Sequence, residues 1–445
     1  MEGADDTVVR PLSRPRLVPR PTPACFRAPL PVSARDASPA RSDIPPNLNA
    51  QFVQGTALET RGEVTATAYD ASGTRMVTST AEGAVHVWDR EDDLDEATEG
   101  APGPWRQTAA WAAHDDVSCE AIAFAPAEFG QCVATAAADG SVRVWREKPL
   151  APLGAEPAAA TEAAAAAAAA AREGAAPWEL VADLREARGA TTLLDFAPPE
   201  HGLRLAAAGA DGVVRFYAPG NTLALLGWEL TNEAEALEPG AAVSAMAWRR
   251  PTAADAARAE GSGDVSAHRG SLPAALAVAL TWHADALGNG AKCDARVLTY
   301  DEGSMRWRVA SILFEAGEGA PPAAALAWAP NADASPAGAA ETVAAARGSE
   351  VEVYRVALWS GGSSAASERN RAESDSPSDA LASSTPSSTN ARLCASLSHP
   401  GPVHDLDWNT VGTTLATSAA DGVVRVWAAN MQTGAWETRA RLVGE

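Results

Sequence analysis

One segment recurs four times along the chain and constrains the fold more than any other feature. Each copy has a strand of small residues, an Asp-Gly or Glu-Gly turn, and an alternating strand that ends in an aromatic residue. The copies are TSTAEGAVHVWDR (78–90), TAAADGSVRVWRE (135–147), AAGADGVVRFYAP (207–219) and TSAADGVVRVWAA (417–429). In every copy the acidic residue stands six positions before the aromatic one, as Asp139 does before Trp145. A register kept through four copies indicates a repeat protein.

The chemistry of this segment predicts a β-hairpin. The glycine of the turn supplies a positive φ angle, and the V-x-V-W pattern puts alternate side chains on one buried face. A further strand with an aromatic residue precedes each hairpin, in VTATAYDASG, CEAIAFAP, TLLDFAP and VHDLDWNTVG. Two weaker copies, ending at Tyr300 and Tyr354, bring the number of units to six. Each unit therefore supplies at least three strands.

The repeats predict an all-β fold, a six-bladed WD40 β-propeller over residues 56–445. The closing aromatic residues lie about 55 to 85 residues apart, against roughly 40 to 45 for an uninterrupted WD40 repeat. Insertions must therefore lie in the loops, and low-complexity stretches at about 150–176 and 360–390 fit that role. The second stretch is interpreted as a flexible linker, with a phosphorylated regulatory loop as the alternative.

The first residues of the chain have a different composition. Pro and Arg recur at short intervals, and there is no hydrophobic period of either a helix or a strand. We expect a disordered tail over residues 1–55. A short docking peptide within this tail is the alternative to a solvated extension without a function.

Charge and cysteine content limit the partners. The formal net charge of −22 argues against direct binding of nucleic acid, because binding a polyanion requires Lys and Arg to neutralise its phosphates. The five cysteines lie far apart without CxxC spacing, so we expect no zinc site. No apolar run approaches the length of a membrane span.

Two units carry a set of residues that resembles a catalytic group. The two sets are His114, Thr135, Asp139 and Trp145, then His399, Thr417, Asp421 and Trp427. A His and an Asp beside a hydroxyl could act as an acid–base pair. A buried structural network is the stronger interpretation, because a scaffold needs it in several blades whereas an active site is needed once. We expect no enzyme activity, catalytic residue, cofactor or metal, and we expect Glu82 and Asp211 to lie in blade turns.

Three stretches resemble one family more specifically. The segment PAEFGQCVATAAADGSVRVWRE (126–147) resembles the second blade of the Sec-thirteen/Seh family of coat nucleoporins. The segments FAPPEHGLRLAAAGADGVVRFYAPGNTLALLGWEL (196–230) and WNTVGTTLATSAADGVVRVWAANMQTGAWETRARL (408–442) resemble its Seh-type member. The chain is similar to the Seh-type WD-repeat nucleoporins over about residues 60–445.

This resemblance implies an open propeller that an α-solenoid nucleoporin completes by inserting a blade. The chain would be a structural scaffold subunit of the Y-shaped complex of the nuclear pore, together with other nucleoporins. It would indirectly support transport of protein and mRNA, and it would meet the membrane only through the complex. A propeller with too few strands leaves a sheet edge with which a partner can pair. On this resemblance the edge lies around Val64–Trp88 and the terminal strand Trp436–Leu442.

Two alternatives within the same fold stay open. The vesicle-coat paralogue of the secretory pathway has the same architecture, although GLRLAAAGADGVVRFYAP and NMQTGAWE favour the nucleoporin. The Seh-type resemblance also implies a TOR-regulating, coat-like complex at the cytoplasmic face of the vacuole or lysosome, and the sequence does not separate this role from the pore role. A propeller enzyme would need convergent polar residues in the central channel, where we find only structural ones.

Overall fold

A computed structural model describes the following parts of the chain: 50–53, 60, 62–90, 105–148, 177–234, 240–250, 274–282, 292–301, 303–316, 320–330, 341–356, 358, 391–430 and 433–444. These residues belong to one compact unit, Asn47–Glu445. They form strands and two 3-10 helices, Ala127–Phe129 and Pro199–His201. Neither helix has the length and hydrophobicity that a membrane crossing requires. Most of the expected tail and both expected low-complexity loops lie outside the described residues.

The strands after the first group in chain order into six antiparallel sheets of four, which we number blades 1 to 6. Blade 1 contains β2 Val64–Tyr69, β3 Arg75–Thr80, β4 Ala84–Arg90 and β5 Trp105–Ala112. Blade 2 contains β6 Cys119–Phe124, β7 Cys132–Ala137, β8 Val142–Glu147 and β9 Trp178–Leu184. Blade 3 contains β10 Thr191–Phe196, β11 Leu205–Gly209, β12 Val214–Asn221 and β13 Leu226–Ala234.

The second half of the chain repeats this arrangement. Blade 4 contains β14 Ala241–Trp248, β15 Ala275–Trp282, β16 Lys292–Asp301 and β17 Arg306–Ala316. Blade 5 contains β18 Ala323–Trp328, β19 Glu341–Arg347, β20 Glu350–Val356 and β21 Ala391–Ser398. Blade 6 contains β22 Val403–Trp408, β23 Thr414–Ala419, β24 Val423–Ala429 and β25 Trp436–Gly444. The predicted six-bladed, all-β propeller is confirmed.

Tight turns between the second and third strands use glycine as expected. Gly83 and Gly140 follow the acidic turn residue with φ angles of 78° and 88°. A Cβ atom at Gly83 would lie 2.0 Å from the backbone oxygen of His114. Only glycine fits there, because both the left-handed backbone and the close approach exclude a side chain.

In the described part of the chain, the blades form an arc with one open junction. The first strand of each blade contacts the first strand of the next, from β2 through to β22. Five clusters of buried apolar side chains lie between successive blades. Within the described residues, no cluster joins blade 6 to blade 1, and β22 and β2 have no comparable contact. We call the space between blade 6 and blade 1 the gap.

The first strand, β1 (Ala50–Val53), lies inside the expected disordered tail. It pairs in parallel with β25, with Ala50 opposite Arg441 and Val53 opposite Gly444. The sheet of blade 6 therefore has five strands in the order β1-β25-β24-β23-β22. The expectation of disorder is wrong for these four residues. They are ordered by backbone pairing with an edge strand, and such pairing requires no hydrophobic period in the sequence.

Candidate partner-binding face

In blade 2, a buried polar network ties the loop before the blade to its second and third strands. The Nε2 atom of His114 lies 2.9 Å from Oγ1 of Thr135, to which Trp145 Nε1 also donates at 3.1 Å. The Nδ1 atom of His114 lies 3.1 Å from Oγ of Ser141, and this hydroxyl donates to Asp139 at 2.6 Å. The structure thus brings together the four expected residues, but Asp139 reaches the imidazole only through Ser141.

The protonation states of this network suit a structural role. Burial lowers the pKa of His114 to about 4, and the charge of Arg143 acts in the same direction. Burial would raise the pKa of Asp139, but its hydrogen bonds from Ser141 outweigh that effect and lower it. At neutral pH a neutral imidazole therefore bridges two hydroxyl groups.

Blade 6 repeats only part of this network. The Nε2 atom of His399 lies 2.8 Å from Oγ1 of Thr417, and Trp427 donates to the same oxygen at 3.0 Å. Asp421 instead forms an ion pair with Arg425. A valine stands in blade 6 where Ser141 stands in blade 2, so no hydroxyl can relay between imidazole and carboxylate. The expectation of a four-residue network is wrong for Asp421.

The turns of blades 1 and 3 hold the other two acidic residues. Asp211 accepts a hydrogen bond from the backbone of Arg188 at 3.0 Å and pairs with buried Arg215 at 2.7 Å. Glu82 occupies the corresponding turn of blade 1, where its side chain is exposed. Both residues lie in blade turns, as the sequence predicts.

We define the forward face of a blade as the face turned toward the next blade in chain order. In blade 2, two rows of directly paired residues cross this face. The rows are Ala121, Ala136, Val142 and Leu184, then Ala123, Ala134, Val144 and Ala182. They pack against blade 3, and Val144 has no exposed surface. This face is an ordinary interior interface between blades.

The forward face of blade 6 has the same construction and borders the gap. Its rows are Asp405, Ser418, Val424 and Leu442, then Asp407, Ala416, Val426 and Ala440. The members from the two outer strands are the same residue types as in blade 2. Here, however, Val424 and Val426 are only half-buried, and Asp405 and Asp407 are exposed. Within the described residues, no blade covers this face, although it is built like one that packs against a blade.

Only one of the four residues expected at the partner-binding edge lies on the forward face of blade 6. Leu442 belongs to it, but Trp436 lies on the opposite side, packed beside Trp408 at a ring distance of 5.8 Å. Trp88 is only 4% exposed and donates to Thr78 within its own blade, while Val64 is half-buried. Trp436 does not belong to the forward face of blade 6, because alternation along a strand sends neighbouring residues to opposite faces. For Val64 and Trp88 the partner-binding edge stays a prediction.

The free surface is also a sheet face rather than a free strand edge. The outer edge of β25 near Leu442 is already paired with β1. Val424, Val426 and the two aspartates are residues that sequence reasoning missed. The signal was present in the first strands, where TATAY, EAIAF, SAMAW and AALAW have alanine at their second and fourth positions and HDLDW has aspartate at both.

The two cysteines of blade 2 are inert packing groups. Cys119 and Cys132 are buried, and burial raises the pKa of the Cys119 thiol to about 11. These thiols are protonated at neutral pH and act as small apolar side chains. No three His, Cys, Asp or Glu side chains of the described residues come close enough together to hold a metal ion.

Comparison with known families identifies the repeat. The model of the family "WD domain, G-beta repeat" matches residues 105–146 and 391–428. Each match begins on the last strand of one blade and continues through the first three strands of the next, so one sequence repeat joins two blades. Fold and repeat together define a WD-repeat β-propeller.

The similar proteins are more specific. Nucleoporin SEH1 of Danio rerio is 26% identical over 378 residues, which cover 85% of this chain and 83% of that protein. Nucleoporin SEH1 of Homo sapiens is 25% identical over 363 residues, which cover 81% and 80%. Nucleoporin SEH1 of Xenopus tropicalis is 25% identical over 371 residues, which cover 81% and 80%. The resemblance to the Seh-type WD-repeat nucleoporins is confirmed.

Proposed function

We propose that this chain is a structural subunit of the nuclear pore complex whose gap receives a blade from an α-solenoid nucleoporin. The observation that carries the proposal is the forward face of blade 6, where residues that are buried in other blades meet solvent. Similarity to nucleoporin SEH1 over more than four-fifths of the chain supports the pore as the setting. Membership of the Y-shaped complex and indirect support of protein and mRNA transport belong to the same proposal.

The physics of the face supports insertion of a blade. A partner that covers apolar residues such as Val424 and Val426 stabilises the complex by about 25 cal/mol for each Å² of apolar surface that it removes from water. A partner sheet packed on this face would stand where blade 3 stands relative to blade 2. The chain acts by binding in this proposal, and none of the networks described above is assigned a catalytic role.

The proposal is tested by affinity purification of the tagged chain at near-physiological salt, with identification of the proteins recovered in stoichiometric amounts. We expect α-solenoid nucleoporins, and we expect the tagged chain at the nuclear rim by fluorescence microscopy. The test variant is Val426→Glu on the open face, and the control is Glu200→Lys on an exposed 3-10 helix. Val426→Glu should abolish recovery of the solenoid protein, and Glu200→Lys should leave it unchanged.

Other outcomes would overturn the proposal in distinct ways. Stoichiometric recovery of vesicle-coat subunits without nucleoporins would assign the chain to the secretory paralogue. Recovery of a TOR-regulating complex, with fluorescence at the vacuole or lysosome, would assign it to that alternative. Solenoid nucleoporins that are recovered equally well with Val426→Glu would show that the partner binds elsewhere on the propeller.

A further inference from the structure

The inner positions of the forward faces follow a rule that blade 6 breaks. In four blades both inner members of the two rows are alanine. These pairs are Ala66 and Ala68, Ala121 and Ala123, Ala245 and Ala247, and Ala325 and Ala327. Small side chains suit these positions because the first strands of successive blades contact one another closely. Blade 6 has Asp405 and Asp407 there, while its outer strands keep the apolar residues of the interior blades.

Blade 3 also has a carboxylate at an inner position of its forward face, and blade 4 shows which groups the propeller places opposite it. Asp195 occupies the place of the second alanine. Burial raises its pKa to about 7, and the positive charge of Arg250, just beyond the first strand of blade 4, acts in the opposite direction. The Trp248 side chain of that same strand donates to the backbone oxygen of Asp195 at 3.3 Å. The following blade thus meets the inner carboxylate with the charge of Arg250, and the backbone of Trp248 also hydrogen bonds to that carboxylate.

The two aspartates of blade 6 have no such cation opposite them in the described chain. Asp405 and Asp407 lie two residues apart on one strand, so their side chains point to the same face. Solvent reaches part of the Asp405 side chain, but desolvation by the protein around the carboxylate raises its pKa. The negative charge of Asp407 raises this pKa further. A positive charge placed opposite the pair would relieve this repulsion.

We propose that the strand packed beside β22 in the gap presents lysine or arginine side chains to Asp405 and Asp407, while the strands beside β24 and β25 present bulky apolar side chains to Val424, Val426 and Leu442. This inference rests on the proposed function, since it specifies the chemistry of the inserted blade. The forward face is therefore selective: its outer part accepts any well-shaped apolar sheet, and its inner part rejects a neutral or acidic strand.

The experiment measures dissociation constants between purified full-length chain and the recombinant full-length solenoid protein recovered in the purification above. Three double variants are compared at two salt concentrations. Asp405→Ala/Asp407→Ala restores the alanines of the interior blades, Asp405→Lys/Asp407→Lys reverses the charge, and Glu128→Lys/Glu200→Lys makes the same charge change at exposed sites of blades 2 and 3. Circular dichroism and thermal unfolding establish that each variant is folded.

We expect the alanine pair to weaken binding about tenfold and the lysine pair about a hundredfold or more, because a cation on the partner loses its counter-charge or meets a like charge. The control pair should stay within about twofold of the unmodified chain. Higher salt should weaken the unmodified complex more than the alanine variant. Replacing the facing basic residues of the solenoid protein by Glu should restore binding to the lysine pair.

Failure of this inference differs from failure of the proposed function. If Val426→Glu abolishes binding but the alanine pair binds as tightly as the unmodified chain, the face is the docking site and the inference about basic residues is wrong. The aspartates would then act only by preventing the uncovered face from associating with other copies of the chain. In that case, the alanine variant should self-associate in analytical ultracentrifugation. If neither Val426→Glu nor the lysine pair changes binding, the partner does not occupy the gap and both proposals fail.

Discussion

Blades 2 and 6 are built from nearly the same sequence template, and they differ in what lies against their forward faces. ADGSVRVW in blade 2 corresponds to ADGVVRVW in blade 6. Val144 is fully buried by blade 3, whereas Val426 at the corresponding place is half-buried beside the gap. Burial of a residue is therefore set by the neighbouring blade, and the strand sequence alone does not determine it.

The largest expected effect comes from placing a charge at this corresponding position in each blade. Val144→Glu should lower the free energy of unfolding by about 4 kcal/mol or more, because the carboxylate would be buried without a partner. Val426→Glu should change it by less than about 1 kcal/mol, because that side chain reaches solvent. Urea denaturation followed by circular dichroism measures both. Equal losses for the two variants would mean that the face of blade 6 is covered in the isolated chain.

A second comparison concerns the two histidine networks. The pKa of His114 is lowered to about 4 in the folded protein, below its usual value of 6.5. The unfolded chain therefore binds the proton more readily, and the stabilisation that is present above pH 6.5 is lost as the pH falls from there toward 4. The full loss is about 3 kcal/mol. The pKa of His399 is lowered as well, so blade 6 contributes in the same direction.

Urea denaturation at about pH 7 and about pH 4.5, on either side of the usual histidine pKa, checks this effect with His114→Gln and His399→Gln as matched variants. Each variant should reduce the acid-induced loss of stability relative to the unmodified chain, and His114→Gln should reduce it more. An unchanged loss in His114→Gln would mean that other groups govern acid unfolding. The difference between the variants measures what the serine and aspartate of blade 2 add to the network.

The smallest effect is expected at the inner aspartates in the absence of a partner. The pKa of Asp405 is raised above 3.8 in the folded protein, so its contribution to stability is present below that pH and is lost as the pH rises through its folded-state value. Asp405→Asn should therefore be more stable than the unmodified chain at about pH 7, by less than about 1 kcal/mol. The difference should vanish at about pH 3, where the carboxyl group is protonated in both states. Thermal unfolding at both pH values checks the sign.

The sequence predicts the blades well and the uncovered forward face of blade 6 poorly. The Asp-Gly turns and alternating strands predict the hairpins because they depend on local backbone geometry, as at Gly140. The pairing of β1 was missed, because AQFV has no period of its own. The sequence does not show on which face Trp436 lies, because the side on which a strand residue lies depends on register across the sheet. Asp405 stands where Ala121 stands in blade 2, and the register shows that both side chains lie on the forward face of their blades.

The pairing of β1 with β25 also sets a limit on how far the arc can open. The chain leaves the outer edge of blade 6 at Val53 and enters the innermost strand of blade 1 at Val64. These eleven Cα-to-Cα steps span at most about 40 Å when fully extended. While β1 stays paired, the two ends of the propeller are tethered by their own backbone. This connection therefore limits how wide the gap can become, but it does not limit how narrow the gap can become.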